Sequence, residues 1–173
     1  DVFDKIALLY DVILENFTID IKSAFLNAEI DTELWCELPE GFEIDGCRFA
    51  QVNKAVPGVK QGAYLWWVMF SKQLKKDGFK QMNVEPCLFT MFSKEVVCLL
   101  LVHVDNVMVG CNNRPWFEKL MKRWKNSDQF QADYVSDKSI LGLNIRRLDR
   151  FTFAFSQKFY IEKIVEEYEL QDS

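Results

Sequence analysis

With 173 residues, the chain is long enough for one domain with a core of its own, and 49% hydrophobic with 27% charged residues is the make-up of a folded protein, not a disordered one. Its longest apolar run, Val96 to Val102, is far short of the roughly 20 residues a membrane helix needs, so no membrane span is expected. The net charge of −5 argues against a strongly basic nucleic-acid binder, while leaving room for a local basic groove. In chain order, Phe3, Ile6, Ala7, Tyr10, Ile13 and Leu14 recur at helical spacing and predict a helix over 2–15, with Asp1 as its cap. Residues 17–21 alternate as a strand does and run into a short turn or helix over 22–26. Short strands are predicted over 33–38 and 48–52, on either side of the loop at Pro39 to Phe42. After Pro57-Gly58 comes an amphipathic helix with Ala63, Trp66, Trp67, Phe70 and Leu74 on one face and Gly78 near its end.

Strands over 87–92 and 96–104 follow, the second apolar enough to be fully buried. Asp105-Asn106 is read as the tight turn into Val107-Met108-Val109, which makes a hairpin. A helix after Arg114-Pro115 carries Trp116, Phe117, Leu120, Met121 and Trp124 on one stripe. A second hairpin is expected over 140–147 and 151–155, and a last helix carries Tyr160, Ile161, Ile164, Val165 and Tyr168. The whole reads as one α+β domain over residues 1–173, with antiparallel hairpins packed against helices. Five cysteines, a single histidine (His103) and no C-x-x-C pair point to free thiols, not a zinc site or a disulfide framework. The chain opens on Asp1 without an initiator Met or a signal peptide, and a piece of something larger is expected.

Among 26 acidic residues two stand apart. Asp20 lies between Ile19 and Ile21 in an apolar strand, and Asp105 closes another. A charge in such surroundings is costly unless it is paired or holds a metal. Two strand-end carboxylates converging at a sheet edge could bind Mg2+, which takes carboxylate oxygens together with substrate phosphates. The plainer alternative is that Asp105-Asn106 is good turn chemistry.

Several segments also match a known pattern in order and spacing from about residue 18 to 170. Thr18 to Asn27 contains Asp20-Ile21-Lys22-Ser23-Ala24-Phe25-Leu26-Asn27, similar to D-V-K-T-A-F-L-N-G. Leu38-Pro39-Glu40-Gly41-Phe42 is similar to the end of M-x-Q-P-x-G-F, and Gly58-Val59-Lys60-Gln61 with Trp66 to G-L-K-Q-S-x-R-x-W. Pro86-Cys87-Leu88-Phe89 matches D-x-C-L-F, and Leu101 to Gly110 matches Y-V-D-D-M-L-I-x-G. Leu141 to Ile145 and Ser156 to Ile161 match F-L-G-I-x-I and S-Q-x-x-Y-I. On these motifs the chain resembles the palm region of copia-type retrotransposon reverse transcriptases.

The resemblance implies an antiparallel palm sheet and RNA-directed DNA polymerisation with two Mg2+ (or Mn2+) ions. It places Asp20 and Asp105 as metal ligands and Asn106 where a third catalytic aspartate belongs, so a weakened enzyme is expected. The alternative is an inactive, domesticated or degenerate module that binds protein or nucleic acid. Phe25 would pack under the incoming sugar, and Gly58, Lys60 and Gln61 would face template and nucleotide. His103 replaces the family's Tyr, Tyr64 its Arg, and Pro57 the Tyr before the glycine; Arg146, Arg147 and Arg150 offer a cluster for a primer backbone. The partners implied are an RNA or DNA template-primer, dNTP and the remaining polyprotein domains. The location implied is cytoplasmic, in element particles, and the upstream fingers and downstream RNase H segments are expected to lie outside this chain.

Overall fold

The structure is a computed structural model, and it describes residues 14–135, 139–140, 142–149 and 152–170. Its strands are β1 (Glu15–Ile21), β2 (Trp35–Glu37), β3 (Phe49–Gln51), β4 (Lys80–Gln81), β5 (Leu88–Phe92), β6 (Val97–His103) and β7 (Asn106–Cys111), then β8 (Ala132–Tyr134), β9 (Ser139–Ile140), β10 (Leu143–Arg147) and β11 (Phe153–Ser156). The helices are α1 (Gly62–Lys76), α2 (Arg114–Lys125) and α3 (Lys158–Glu167), with a 3-10 turn at Ala24–Asn27. This is the expected α+β architecture, built from antiparallel sheets and helices.

The main sheet has six strands in the order β4-β5-β6-β7-β1-β8, every neighbouring pair antiparallel. β5, β6 and β7 form a meander, but β1 enters between β7 and β8, and chain proximity alone does not dictate that insertion. The reason is burial. Ile19 and Ile21 are almost fully enclosed on one face, in a single cluster with Val107, Val109 and Ala132 of the flanking strands. That face is covered by α1 and α2, whose Trp66, Phe70, Leu74, Phe117 and Trp124 complete the core. Leu88, Leu99, Leu101 and Met108 pack on the opposite face in a smaller group that includes Leu14.

α1 is an i, i+4 helix: Gly62, Trp66, Phe70 and Leu74 are its buried row. Ala63 is exposed and Trp67 half-buried, so the row lies one residue away from the expected face at its start. The helix ends in a Schellman motif, with Gly78 N–H donating to the Lys75 carbonyl and Phe79 N–H to that of Leu74. Gly78 has φ +95°, which explains the glycine. α2 is capped by Asn113, whose side chain accepts from Trp116 N–H, and Pro115 sits in its first turn. Between the helices, Asp77 accepts from Trp124 Nε1 at 2.9 Å and from Gln73 at 3.1 Å, and pairs with Arg123 at 3.3 Å.

β2 and β3 form a separate two-stranded ribbon, and β9 to β11 a three-stranded sheet carrying α3. Arg147 ties that sheet to the main body by donating to the Leu14 carbonyl at 2.6 Å. The expected helix over 2–15 falls almost entirely outside the described residues. Where it enters them it is corrected, since Leu14 is not helical and Glu15 already begins β1. Of the basic cluster, Arg150 lies outside the described residues. No described helix is long and apolar enough to cross a membrane.

Candidate active site

Asp20 is the sixth residue of β1, with Ile19 and Ile21 turned into the core on either side. Alternation therefore puts its carboxylate on the opposite face. Its direct cross-strand partners are Asn106 on β7 and Asp133 on β8, and Asn106 in turn pairs with His103 on β6. Directly opposed residues share a face. His103, Asn106, Asp20 and Asp133 thus form a row across four strands on the face away from α1 and α2.

The hairpin turn departs from expectation. The loop is Val104-Asp105, not Asp105-Asn106, and Asn106 is the first residue of β7. The cause is register. Val107 and Val109 are fully buried, and a slip of one residue would turn both to the other face. The loop consequently puts Val104 at φ 56°, a left-handed conformation that a β-branched residue adopts only under constraint. Two hydrogen bonds supply it: Trp66 Nε1 donates to the Val104 carbonyl at 2.6 Å, and Ile21 N–H to the Asp105 carbonyl at 2.8 Å. One comes from α1 and the other from β1, so both elements beneath the site grip the turn that carries Asp105.

Asp105 and Asn106 are half-buried, and Asn106 Nδ2 donates to Asp105 Oδ1 at 2.9 Å. Burial raises the Asp20 carboxyl above its usual range, the negative charges of Asp105 and Asp133 raise it further, and Lys22 opposes them. Such crowding of like charge is what a bound cation relieves. Asp133, which sequence reasoning missed, behaves oppositely: hydrogen bonds from Lys125 and Lys22 pull its carboxyl down to about 2. Its two oxygens are both engaged, Oδ1 by Lys125 at 2.8 Å and Oδ2 by Lys22 at 2.6 Å. Asp133 therefore does not supply the charge missing at Asn106. β8 is only three residues long, too short for periodicity to reveal.

A depressed carboxyl stabilises the fold above its unfolded pKa, near 3.8, and loses that contribution as pH falls through about 2. Asp133→Asn is therefore expected to lower the urea midpoint at pH 6, with the gap to the parent closing between pH 4 and 2. Parallel urea titrations across that range check this.

Among the described residues, no three His, Cys, Asp or Glu side chains converge to hold a metal. Asp20 and Asp105 would offer two carboxylates, with the neutral Asn106 amide beside them. That suits one Mg2+ completed by substrate phosphate oxygens better than a pair of ions bound by protein alone.

The other expected residues lie outside these four strands. Phe25 sits in the 3-10 turn after β1, half-buried and packed on the main core. Gly58 has φ +94° and follows Pro57 in a turn closed by Val59 N–H to the Val56 carbonyl, a type II turn that itself calls for glycine. Nothing approaches the place of a Cβ there. Lys60 is exposed, and Gln61 Nε2 donates to Thr32 Oγ1 at 3.0 Å, toward a cleft lined by residues 29–33 and 51–54. No contact joins Gly58, Lys60 or Gln61 to the carboxylates among the described residues.

The family model for reverse transcriptase (RNA-dependent DNA polymerase) matches residues 4–173, and the chain belongs to that family. Within it, the chain is similar to copia-type Pol polyproteins. It is 29% identical over 164 residues to the Retrovirus-related Pol polyprotein from transposon TNT 1-94 of Nicotiana tabacum, covering 92% of this chain and 12% of that protein. It is 26% identical to a putative transposon Ty5-1 protein of Saccharomyces cerevisiae, over 88% of this chain and 50% of the other. A third relative, the Retrovirus-related Pol polyprotein from transposon RE1 of Arabidopsis thaliana, is 25% identical over 83% of this chain and 10% of that polyprotein. The chain thus spans half or less of each of these relatives.

Proposed function

We propose that this chain is the palm, with an adjoining segment, of a copia-type RNA-directed DNA polymerase, and that it forms a single domain over residues 1–173. The observation that carries this reading is the convergence of Asp20, near the end of β1, with Asp105, in the turn of the neighbouring hairpin. Asp20 and Asp105 would hold Mg2+ or Mn2+, which when bound stabilises the charge that develops as a primer hydroxyl displaces pyrophosphate from dNTP. The chain's own contribution is positional. The turn, clamped by Trp66 and Ile21, keeps Asp105 in place, and Asp20 is held between two strands. Phe25 would lie under the incoming sugar, with Gly58, Lys60 and Gln61 toward template and nucleotide. Asn106 contributes a neutral oxygen where the motif calls for a carboxylate, so activity is weak in this reading. Template-primer, dNTP and the remaining polyprotein domains are the partners, in cytoplasmic particles.

A second reading, a module that has lost polymerisation and serves in binding, is favoured by one contact. The Asn106 amide satisfies Asp105 Oδ1 with no metal needed. Primer extension on an RNA template with Mg2+ or Mn2+ separates the two. Extension by the parent that Asp20→Ala abolishes supports the polymerase; absence of extension in the parent, with unchanged metal affinity in Asp20→Ala, supports the binding module.

A further inference from the structure

The chain's excess negative charge is confined to one stretch. Residues 29–54 hold seven acidic and two basic side chains, a net of −5, equal to the net charge of the whole protein; the rest is balanced. Both bases are already paired within the stretch, Arg48 with Glu37 at 2.6 Å and Lys54 with Glu29 at 3.6 Å. Asp31, Glu33, Glu40, Glu43 and Asp45 are exposed and have no cationic partner among the described residues.

The same stretch builds the β2–β3 ribbon. A two-stranded ribbon is marginal in water unless it packs against something. Here no residue of β2 is buried, and among the described residues both outer edges are unpaired. Trp35 and Phe49 stand on one face, since Trp35 opposes Gln51 and Glu37 opposes Phe49. Trp35 is 54% exposed, Phe49 55% and Phe42, in the connecting loop, 69%. Beside the ribbon lies a cleft of about 440 Å³, lined by residues 29–33 and 51–54.

Exposed aromatics within an acidic field are wrong for a phosphate backbone, which the charge would repel, and right for a protein segment that combines apolar anchors with Lys or Arg. We propose that residues 29–54 form a docking surface for a basic protein segment, whose apolar side chains cover Trp35, Phe42 and Phe49 and whose cations meet the unpaired carboxylates. Aromatic anchors supply affinity, and the surrounding charge supplies attraction and register. The surface shares no residue with the Asp20–Asp105 pair and does not depend on polymerisation.

The test uses the whole chain and a 16-residue synthetic peptide of alternating lysine and leucine as probe, titrated by calorimetry in low salt. Hydrogen–deuterium exchange locates the contact. The expected result is protection confined to residues 29–54. Affinity should fall about tenfold both in Trp35→Ala/Phe49→Ala, which leaves the charge intact, and in Asp31→Lys/Glu40→Lys/Glu43→Lys, which leaves the aromatics and the Trp35–Glu33 hydrogen bond intact. All five positions are exposed, so these variants are expected to fold, and their urea midpoints confirm it. Absence of peptide binding, protection elsewhere, or equal affinity in the aromatic variant would overturn the proposal. So would tighter binding of a 15-nucleotide RNA that Trp35→Ala/Phe49→Ala weakens, which would reassign the surface to nucleic acid.

Discussion

Asn106→Asp is expected to raise Mg2+-dependent primer extension on the order of 10²-fold, the scale on which one electrostatic group acts at a reacting centre. The parent places one neutral amide among Asp20, Asp105 and Asp133, and that amide donates to Asp105 Oδ1 at 2.9 Å. Replacing it by a carboxylate removes the hydrogen bond and adds a fourth negative charge to this group, directly opposite Asp20. Without metal the variant should therefore be less stable than the parent, by about 1–2 kcal/mol. With Mg2+ the sign reverses, because the added charge raises affinity for the ion and binding to the native state stabilises it by mass action. Urea midpoints with and without Mg2+, alongside primer extension, read both effects. A variant whose stability ignores Mg2+ and which extends no primer would show that Asp20 and Asp105 do not form a cation site.

Trp66→Ala should cost about 3–5 kcal/mol, the range for removing a large aromatic from a core. Trp66 is 1% exposed, stacks on Phe70 with ring centroids 5.0 Å apart and meets Phe130 edge-on. Trp66→Phe is the more informative change. It keeps most of the packing and deletes the indole N–H that holds the Val104 carbonyl. The stability loss should be only about 1–2 kcal/mol, the cost of one unsatisfied acceptor. Its larger consequence is local. Val104 is held at φ 56° by that bond and by the neighbouring Ile21 contact, so releasing it lets the Asp105 turn relax. In an Asn106→Asp background, Trp66→Phe is expected to weaken Mg2+ binding about tenfold, the scale of losing a group that orients a metal-binding side chain without touching the metal. Calorimetric Mg2+ titration checks this, and unchanged affinity would mean that the turn keeps its shape without the bond.

Much of this was readable in the residues. Apolar spacing identified α1, α2 and α3, and Gly78 marked the end of the first because a Schellman end needs a positive φ. The apolar run from Val96 announced a buried central strand, and an aspartate inside Thr18 to Ile21 drew notice because charge in an apolar strand needs a reason. The motifs in register identified the reverse transcriptase family, and the comparison bears that out.

What the chain order could not supply is which strands lie side by side. Insertion of β1 between β7 and β8 is decided by burial of Ile19, Ile21, Val107 and Ala132 on one face, a sum over residues distant in sequence. That insertion sets Asp20 opposite Asn106 and adds Asp133 with its two lysines, while burial of Val107 and Val109 fixes the hairpin loop at Val104-Asp105. The acidic stretch over 29–54 is visible in the sequence as charge alone. Its standing as an uncovered ribbon with three exposed aromatics belongs to the tertiary structure, because exposure depends on what the rest of the chain packs against. Local periodicity thus determined the elements and the family, whereas the long-range packing of apolar faces decided where each carboxylate sits.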